Sequence, residues 1–517
     1  MLLHQHLDYR ARIQPSAEYL VCGAERWSYA RAAGEVERLV GALAAAGVGP
    51  GTRVALLARN RPELPLLCFA ASRLAAVPVP LNFRLALREW AFLLADSEAQ
   101  ILFAEAELAR GLEALRGELP ALAHAVAWGD PPPGFRRYGE WLARAVPAAE
   151  PAARAAPDSD ALQLYTSGTT GRPKGALLSQ QALCAAIQQW VLLYPLRAGE
   201  RQLCVLPMYH VAGLVGAFHA AACGACLYLM RDYDPEELVR ALDEERIARA
   251  PIVPTMLADA LEVPGVERRR FEALRWLSYG GAPIDPALLR RGLERFRCDF
   301  QQAYGMTELP CMTYLVPEDH LRGLDACPEL LRSVGRAGPG VELRIADPEG
   351  RALPPGAVGE ILGRGPQRMS GYWKLPDASA EALRGGWLHT GDAGVLDERG
   401  YLTLVDRIKD MVVSGGENIY PREIEALLLE HPAIADVAVI GVPDPRWGET
   451  LKAVVVLRAG AALGLAELDA FCRGRIGGYK RPRLLETVGA LPRNASGKVL
   501  KRELREQHLR AQAQREA

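Results

Sequence analysis

The stretch YTSGTTGRPKG, Tyr165 to Gly175, gathers three glycines, a run of hydroxyl side chains and one lysine in eleven residues. Backbone amides in such a glycine-rich turn can surround a phosphate. Thr166, Ser167, Thr169 and Thr170 would add hydroxyl donors, Gly168 and Gly171 would allow close approach, and Lys174 supplies a mobile charge suited to β- and γ-phosphates. A Walker A loop reads G-x-x-x-x-G-K-[ST] and joins a strand to a helix. Here Lys174 follows a proline and precedes a glycine, and the flanks ALQLYTS and GALLS both read as strands. That order excludes the kinase-type loop. Ser179 reads as the N-cap of the helix that follows.

Six further segments carry chemistry, in chain order. They are LPMYHVAGL (Leu206–Leu214), YGGAP (Tyr279–Pro283), QAYGMTE (Gln302–Glu308), GWLHTGD (Gly386–Asp392), DRIKDMVVSGGENIYPREIE (Asp406–Glu425) and LPRNASGKVLKREL (Leu491–Leu504). With the loop, they resemble the adenylate-forming superfamily of acyl-CoA synthetases, amino-acid adenylation domains and beetle luciferases. The resemblance implies two half-reactions. A carboxylate attacks the α-phosphate of ATP, giving acyl-AMP and pyrophosphate. A thiol, usually that of coenzyme A, then takes the acyl group and releases AMP. The first step brings anion against anion, so the site must aim positive charge and donors at the developing charge.

The same resemblance implies the roles. Glu308 is a magnesium ligand, since a hard cation takes carboxylate and phosphate oxygens together. Thr307 donates to the α-phosphate. Gly280, Gly281, Ala282 and Pro283 hold adenine, with Tyr304 offering a flat face. Gly305 leaves room for the acyl group. His210 lies between nucleotide and acyl tunnel. Asp392 accepts from the ribose hydroxyls, and Arg407 helps hold ribose or phosphate. Lys498 bridges the substrate carboxylate and the α-phosphate. Lys409 is the hinge about which the C-terminal domain swings between the two steps. Outside their motifs Asp392 is an ordinary turn aspartate, Glu308 a solvated glutamate and Lys498 a solvated tail lysine.

The thiol side leaves a fainter trace. Tyr479, Lys480, Arg481 and Arg483 in GGYKRPR form a cluster suited to the phosphates of CoA. On charge pattern alone a solvated basic edge is an equal reading. Trp447, Gly415 and Gly416 would line the pantetheine tunnel. The residues after His210 are apolar, with no aspartate for an ammonium group, which favours an aryl acid or a medium- to long-chain fatty acid over an amino acid. An enzyme that loads a separate carrier protein, a luciferase-like oxygenase and a non-catalytic binding protein of the same fold are the alternatives. The intact Lys174, Thr307, Glu308, Asp392 and Lys498 speak against the last.

The elements that must position these residues follow from pattern. Length (517 residues) calls for more than one domain. Short apolar runs alternate with amphipathic helices up to about residue 333, which predicts layered α/β structure. From Val334, short strands with Gly and Pro turns predict a β-rich subdomain. After DRIKDM a small α+β segment begins. The predicted division is therefore residues 1–408 and 409–517; the resemblance implies the ATP and acyl sites in the first and a mobile domain in the second. The Ala/Pro-rich Ala143–Asp160 stretch reads as a surface connector.

Composition sets the limits. The formal net charge of −1 gives no electrostatic reason for nucleic acid or an anionic membrane as partner. Only seven of 61 basic residues are lysine, so each lysine is a candidate for a task that a planar guanidinium does not serve. Ten scattered cysteines show no disulfide framework and fit a reducing cytoplasm. Cys223 and Cys226 lack zinc spacing partners and read as core thiols. The uncharged run Val211–Met230 is long enough to span a bilayer. It holds His219 and a Cys-Gly-Ala break, so a buried helix followed by a buried strand is expected. Oligomeric state is left open, a homodimer included.

Overall fold

A computed structural model describes the chain except residues 145–154, 167–172, 282–283, 415–416, 446, 474, 494–497 and 517; at 407, 409, 417–418 and 513–516 it describes the backbone alone. The predicted connector Ala143–Asp160 falls largely outside these residues.

The contacts divide the chain into two compact units. The first is Met1–Leu343 with Gly363–His389, and the second is Arg344–Leu362 with Thr390–Ala517. The α/β expectation holds. The first unit is built on a nine-stranded sheet and a five-stranded sheet. In the larger sheet, Asp299–Met306, Trp276–Gly280, Ile247–Ile252, Arg201–Cys204, Cys226–Leu229 and Glu18–Cys22 run parallel in that order. Antiparallel strands extend it, Leu309–Leu315 and then Arg336–Ala337 at one side and Glu25–Ser28 at the other. Parallel strands need helices on both faces, which is why these read as continuous apolar runs. Phe69, Phe218 and Leu214 are fully buried in the core beside this sheet, each burial worth roughly 1.5–3 kcal/mol.

The uncharged run resolves as expected. It forms the helix Val211–Cys223, ended by Gly224 in the left-handed region, and the strand Cys226–Leu229. Cys223 and Cys226 are buried thiols. Among the described residues no helix is long and apolar enough to cross a membrane.

The second unit holds most of a four-stranded sheet, Glu342–Ala346, Gly359–Arg364, Leu388–Leu396 and Leu402–Arg407. It also holds a long hairpin, Ile434–Asp444 with Gly448–Leu457. The helix Pro421–Leu428 packs Ile424 and Leu428 onto that hairpin.

Several histidines are folded in as neutral rings. His320 is fully buried; its Nδ1–H donates to Val316 O at 2.9 Å, so Nε2 accepts from the Tyr279 hydroxyl at 2.8 Å. Burial pushes His320 and His6 down to about 4, and His219 well below its ordinary value. The unfolded chain binds protons near 6.5 that the fold refuses. Stability is therefore full above about pH 6.5 and falls as pH drops toward 4, by on the order of 3 kcal/mol each for His6 and His320. Thermal midpoints from pH 7 to 4 should decline across that window; a flat profile would contradict the assignment.

Candidate active site

The two flanks of the glycine-rich segment form the strands that the sequence predicted. Asp160–Thr166 and Lys174–Ser179 pair antiparallel, with Thr166 opposite Lys174 at the mouth of the hairpin. Ser179 caps the next helix, Gln180–Leu193, by accepting from Ala182 N. Ser167, Gly168, Thr169, Thr170 and Gly171 lie outside the described residues. The short strand Gly371–Tyr372 pairs along the outer side of the hairpin, Tyr372 opposite Ala176.

This pairing assembles four side chains. Thr166 Oγ1 donates to Glu308 Oε1 at 3.4 Å, and the Tyr372 hydroxyl donates to the same oxygen at 2.9 Å. Lys174 Nζ lies 5.0 Å from the Tyr372 ring centroid. Glu308 is buried, and its backbone carbonyl accepts from Met369 N. Burial first, and then the Glu308 charge, push the Tyr372 phenol far up, so it remains a donor. Among the described residues no group of three or more His, Cys, Asp and Glu could hold a metal. The Glu308 carboxylate is a hard oxygen donor of the kind magnesium takes beside phosphate and water oxygens.

Tyr372 was not singled out from sequence. It lies 64 residues from Glu308, and only the strand pairing joins them. Tyr372→Phe removes one donor from a carboxylate, a bond worth about 1.5–3 kcal/mol. In the ATP-dependent reaction that the motif resemblance implies, pyrophosphate release should fall roughly ten- to a hundred-fold in kcat/KM for ATP. An unchanged value would show that Tyr372 only packs.

The YGGAP and QAYGMTE motifs occupy neighbouring strand ends. Gly280 ends its strand opposite Ala303, and a Cβ there would lie 2.6 Å from Ala303 O. Gly281 turns the chain with φ +78°. Ala282 and Pro283 lie outside the described residues. Tyr304 is half-buried, and Thr307 sits in the turn between Asp299–Met306 and Leu309–Leu315. A Cβ at Gly305 would meet Cys311 N at 2.3 Å, so the bulged hairpin backbone itself requires glycine there.

His210 is the N-terminal flanking residue of the helix Val211–Cys223. Its ring keeps solvent access yet is crowded on most sides, 4.3 Å from the Tyr209 ring. That desolvation, and then the Arg84 charge, lowers it to about 4, so it is neutral at pH 7. The loop before it is fixed by Asn60, a second residue the sequence did not reveal. Asn60 Nδ2 donates to Leu206 O and Met230 O, and its Oδ1 accepts from Met208 N.

In the second unit, Asp392 and Arg407 are cross-strand neighbours. Asp392 is buried, and its N–H donates to Thr390 Oγ1 at 3.0 Å. Arg407 and Lys409 are described by backbone only, Lys409 in the short turn Ile408–Asp410. Lys498 is exposed. Residues 494–497 before it lie outside the described residues, but the Arg493–Val499 bridge and the Leu500 N–Pro492 O bond fix both ends of its loop. Gly415 and Gly416 lie outside the described residues.

The basic cluster is partly spoken for. Lys480 bonds Glu423 at 2.7 Å and Arg481 bonds Asp469 at 2.7 Å. Arg483 lies 4.5 Å above the Trp447 ring, and Tyr479 is exposed. Scarce lysines are therefore not all ligand-facing. Lys374, Lys452, Lys480 and Lys501 each hold a glutamate: Glu98, Glu486, Glu423 and Glu425.

The model of the AMP-binding enzyme family matches residues 7–373, and that of the AMP-binding enzyme C-terminal domain matches 423–498. The chain belongs to the AMP-binding enzyme family. The superfamily resemblance of the motifs is thereby shown. Among members of this family, the indoleacetate–CoA ligase of Aromatoleum aromaticum is 40% identical over 98% of this chain and 98% of its own length. The fatty acid–[acyl-carrier-protein] ligase ScoC of Streptomyces coeruleorubidus is 37% identical over 98% and 96%. The solved o-succinylbenzoate CoA synthetase of Bacillus subtilis, in complex with its acyl-adenylate intermediate, has a TM-score of 0.85 at 30% identity, covering 96% and 97%.

Proposed function

We propose that this AMP-forming acid–thiol ligase activates a carboxylic acid with an apolar body as acyl-AMP and passes the acyl group to coenzyme A. The observation that carries the reading is the junction of Thr166, Lys174, Glu308 and Tyr372. It joins a cation, hydroxyl donors and a buried carboxylate at the mouth of a glycine-rich hairpin. Such a set suits a magnesium triphosphate: Lys174 holds the leaving pyrophosphate, Glu308 would hold the ion, and Thr307 donates to the α-phosphate. A bound magnesium ion would supply charge neutralisation there. Neutral His210 presents an uncharged wall to the acyl group.

Lys498 is assigned to the carboxylate–α-phosphate contact, Asp392 with Arg407 to ribose, and Lys409 to the hinge of a mobile 409–517 segment. ATP and coenzyme A are the co-substrates. The ten free thiols fit a cytoplasmic setting.

A second acceptor has a specific observation in its favour. Lys480 and Arg481 are tied to carboxylates of their own unit, which leaves Arg483 and Tyr479 as the cluster's contribution to a CoA phosphate site. A carrier protein's pantetheine arm needs no such site, and one relative is named as a carrier-protein ligase. Incubating the protein with ATP, magnesium and a panel of aryl and fatty acids decides the matter. Acyl-CoA formation on adding CoA supports the first reading. Pyrophosphate release without acyl-CoA, and acylation of a phosphopantetheinylated carrier, supports the second.

A further inference from the structure

The glycine-rich hairpin has two faces, and the groups described above use one. Side chains alternate across a strand, and directly paired residues share a face. Thr166 and Lys174 are such a pair, and Tyr372 joins them on the Glu308 side. Gln163 and Tyr165 face the other way, as does Trp373, which follows Tyr372. There the hairpin meets Arg53, in the strand Arg53–Leu57 of the five-stranded sheet, and Asp96, in the helix Leu87–Ser97. Leu93 and Leu94 of that helix share an apolar cluster with Ala55 and Leu57 of the strand.

The contacts there form one connected network. Arg53 is 8% exposed, and its guanidinium carbon lies 3.6 Å from the Trp373 ring centroid. Its Nε–H donates to Gln163 Oε1 at 3.3 Å, and the fully buried Gln163 donates through Nε2 to the Tyr165 hydroxyl at 3.1 Å. The Tyr165 hydroxyl donates in turn to Asp96 Oδ2 at 2.6 Å. Burial, and then the Asp96 carboxylate, push that phenol far up, so it stays a donor. The Asp96 carbonyl accepts from Trp373 Nε1 at 2.9 Å, and Trp373 N donates to Gly175 O at 2.8 Å. Thr166, Lys174 and Tyr372 each have a chain neighbour in this network: Tyr165, Gly175 and Trp373.

Holding the hairpin against the sheet does not require such a network. Apolar side chains of like volume would pack there without the desolvation of a guanidinium and an amide. Connected polar groups instead admit one arrangement of their members. A one-residue slip would take Gln163 and Tyr165 from their partners and turn Thr166 and Lys174 to the wrong face. We propose that Asp96 is a positioning residue: acting through Tyr165 and Trp373, it sets the face that presents Thr166, Lys174 and Tyr372 to the β- and γ-phosphates of ATP. This rests on the ligase reading above and adds to it a residue outside the hairpin. The phosphates concerned leave as pyrophosphate, so Asp96 serves the first half-reaction and not the acyl transfer that follows.

The test uses the acid of the aryl and fatty panel that is activated fastest. Tyr165→Phe and Asp96→Ala should each lower kcat/KM for ATP in pyrophosphate release about tenfold or more. KM for the acid, and acyl transfer to CoA from the matching synthetic acyl-AMP, should stay within about twofold of wild type, which also shows that each variant is folded. Asp96→Asn keeps an oxygen that accepts from Tyr165 and should restore most of the loss. The two changes break one bond, so the double variant should fall no more than about twofold below the weaker single variant. An unchanged kcat/KM for ATP in Tyr165→Phe or Asp96→Ala overturns the proposal. So does an equal loss in acyl transfer, which marks a general loosening of the fold. Pyrophosphate release from no acid of the panel by the wild type is a different result and overturns the ligase reading itself.

Discussion

Lys498→Ala is expected to reduce acyl-adenylate formation by about a thousand-fold, while thioester formation from supplied acyl-adenylate falls less than about tenfold. The reasoning is electrostatic. Carboxylate and α-phosphate are both anions, and their approach develops further negative charge on the phosphoryl oxygens. A positioned ammonium contributes only while that charge is present, so its loss appears in the first half-reaction. The Lys498 loop is anchored at both ends by Arg493, which bonds Asp436 at 2.5 Å, and by the Arg493–Val499 bridge. The neighbouring Lys501 is instead bound to Glu425 at 2.7 Å. Lys501→Ala is the natural control and should act on stability rather than on adenylation. Pyrophosphate exchange reports the first step, and acyl transfer from synthetic acyl-AMP reports the second. Equal loss in both would remove the role assigned to Lys498.

Glu308→Gln should lower pyrophosphate release by about a hundred-fold and raise the magnesium concentration at half-maximal rate. Glutamine keeps the volume of the buried side chain and can still accept from Tyr372 and Thr166 through its carbonyl. It removes only the negative charge, so packing loss is a minor part of the change. Glu308→Asp retains charge but withdraws the carboxylate from both hydroxyls, and should fall between the two. If magnesium dependence is unchanged in Glu308→Gln, the carboxylate does not serve the metal and its bonds to Tyr372 and Thr166 are structural.

The parts legible in the sequence were those with local causes. The strand–loop–strand setting of the phosphate hairpin follows from its flanks, and Ser179 caps the helix that its position indicated. The uncharged Val211–Met230 run divides at Gly224, where a left-handed residue ends the helix. The parts not legible depend on partners far along the chain. Tyr372 reaches Glu308 only because a two-residue strand pairs with the hairpin. Asn60 holds a loop 148 residues away. Asp96 reads in sequence as one acidic residue near a helix end, and its bond to Tyr165 joins positions 69 residues apart. The backbone demand on Gly305 is of the same kind: the space beside it is set by a bulge in the next strand.

The most direct measurement is product stoichiometry in a single reaction containing ATP, magnesium, coenzyme A and whichever acid of the aryl and fatty panel is activated fastest. The account predicts one AMP, one pyrophosphate and one acyl-CoA for each ATP consumed. ADP in place of AMP, or pyrophosphate without thioester, would contradict it.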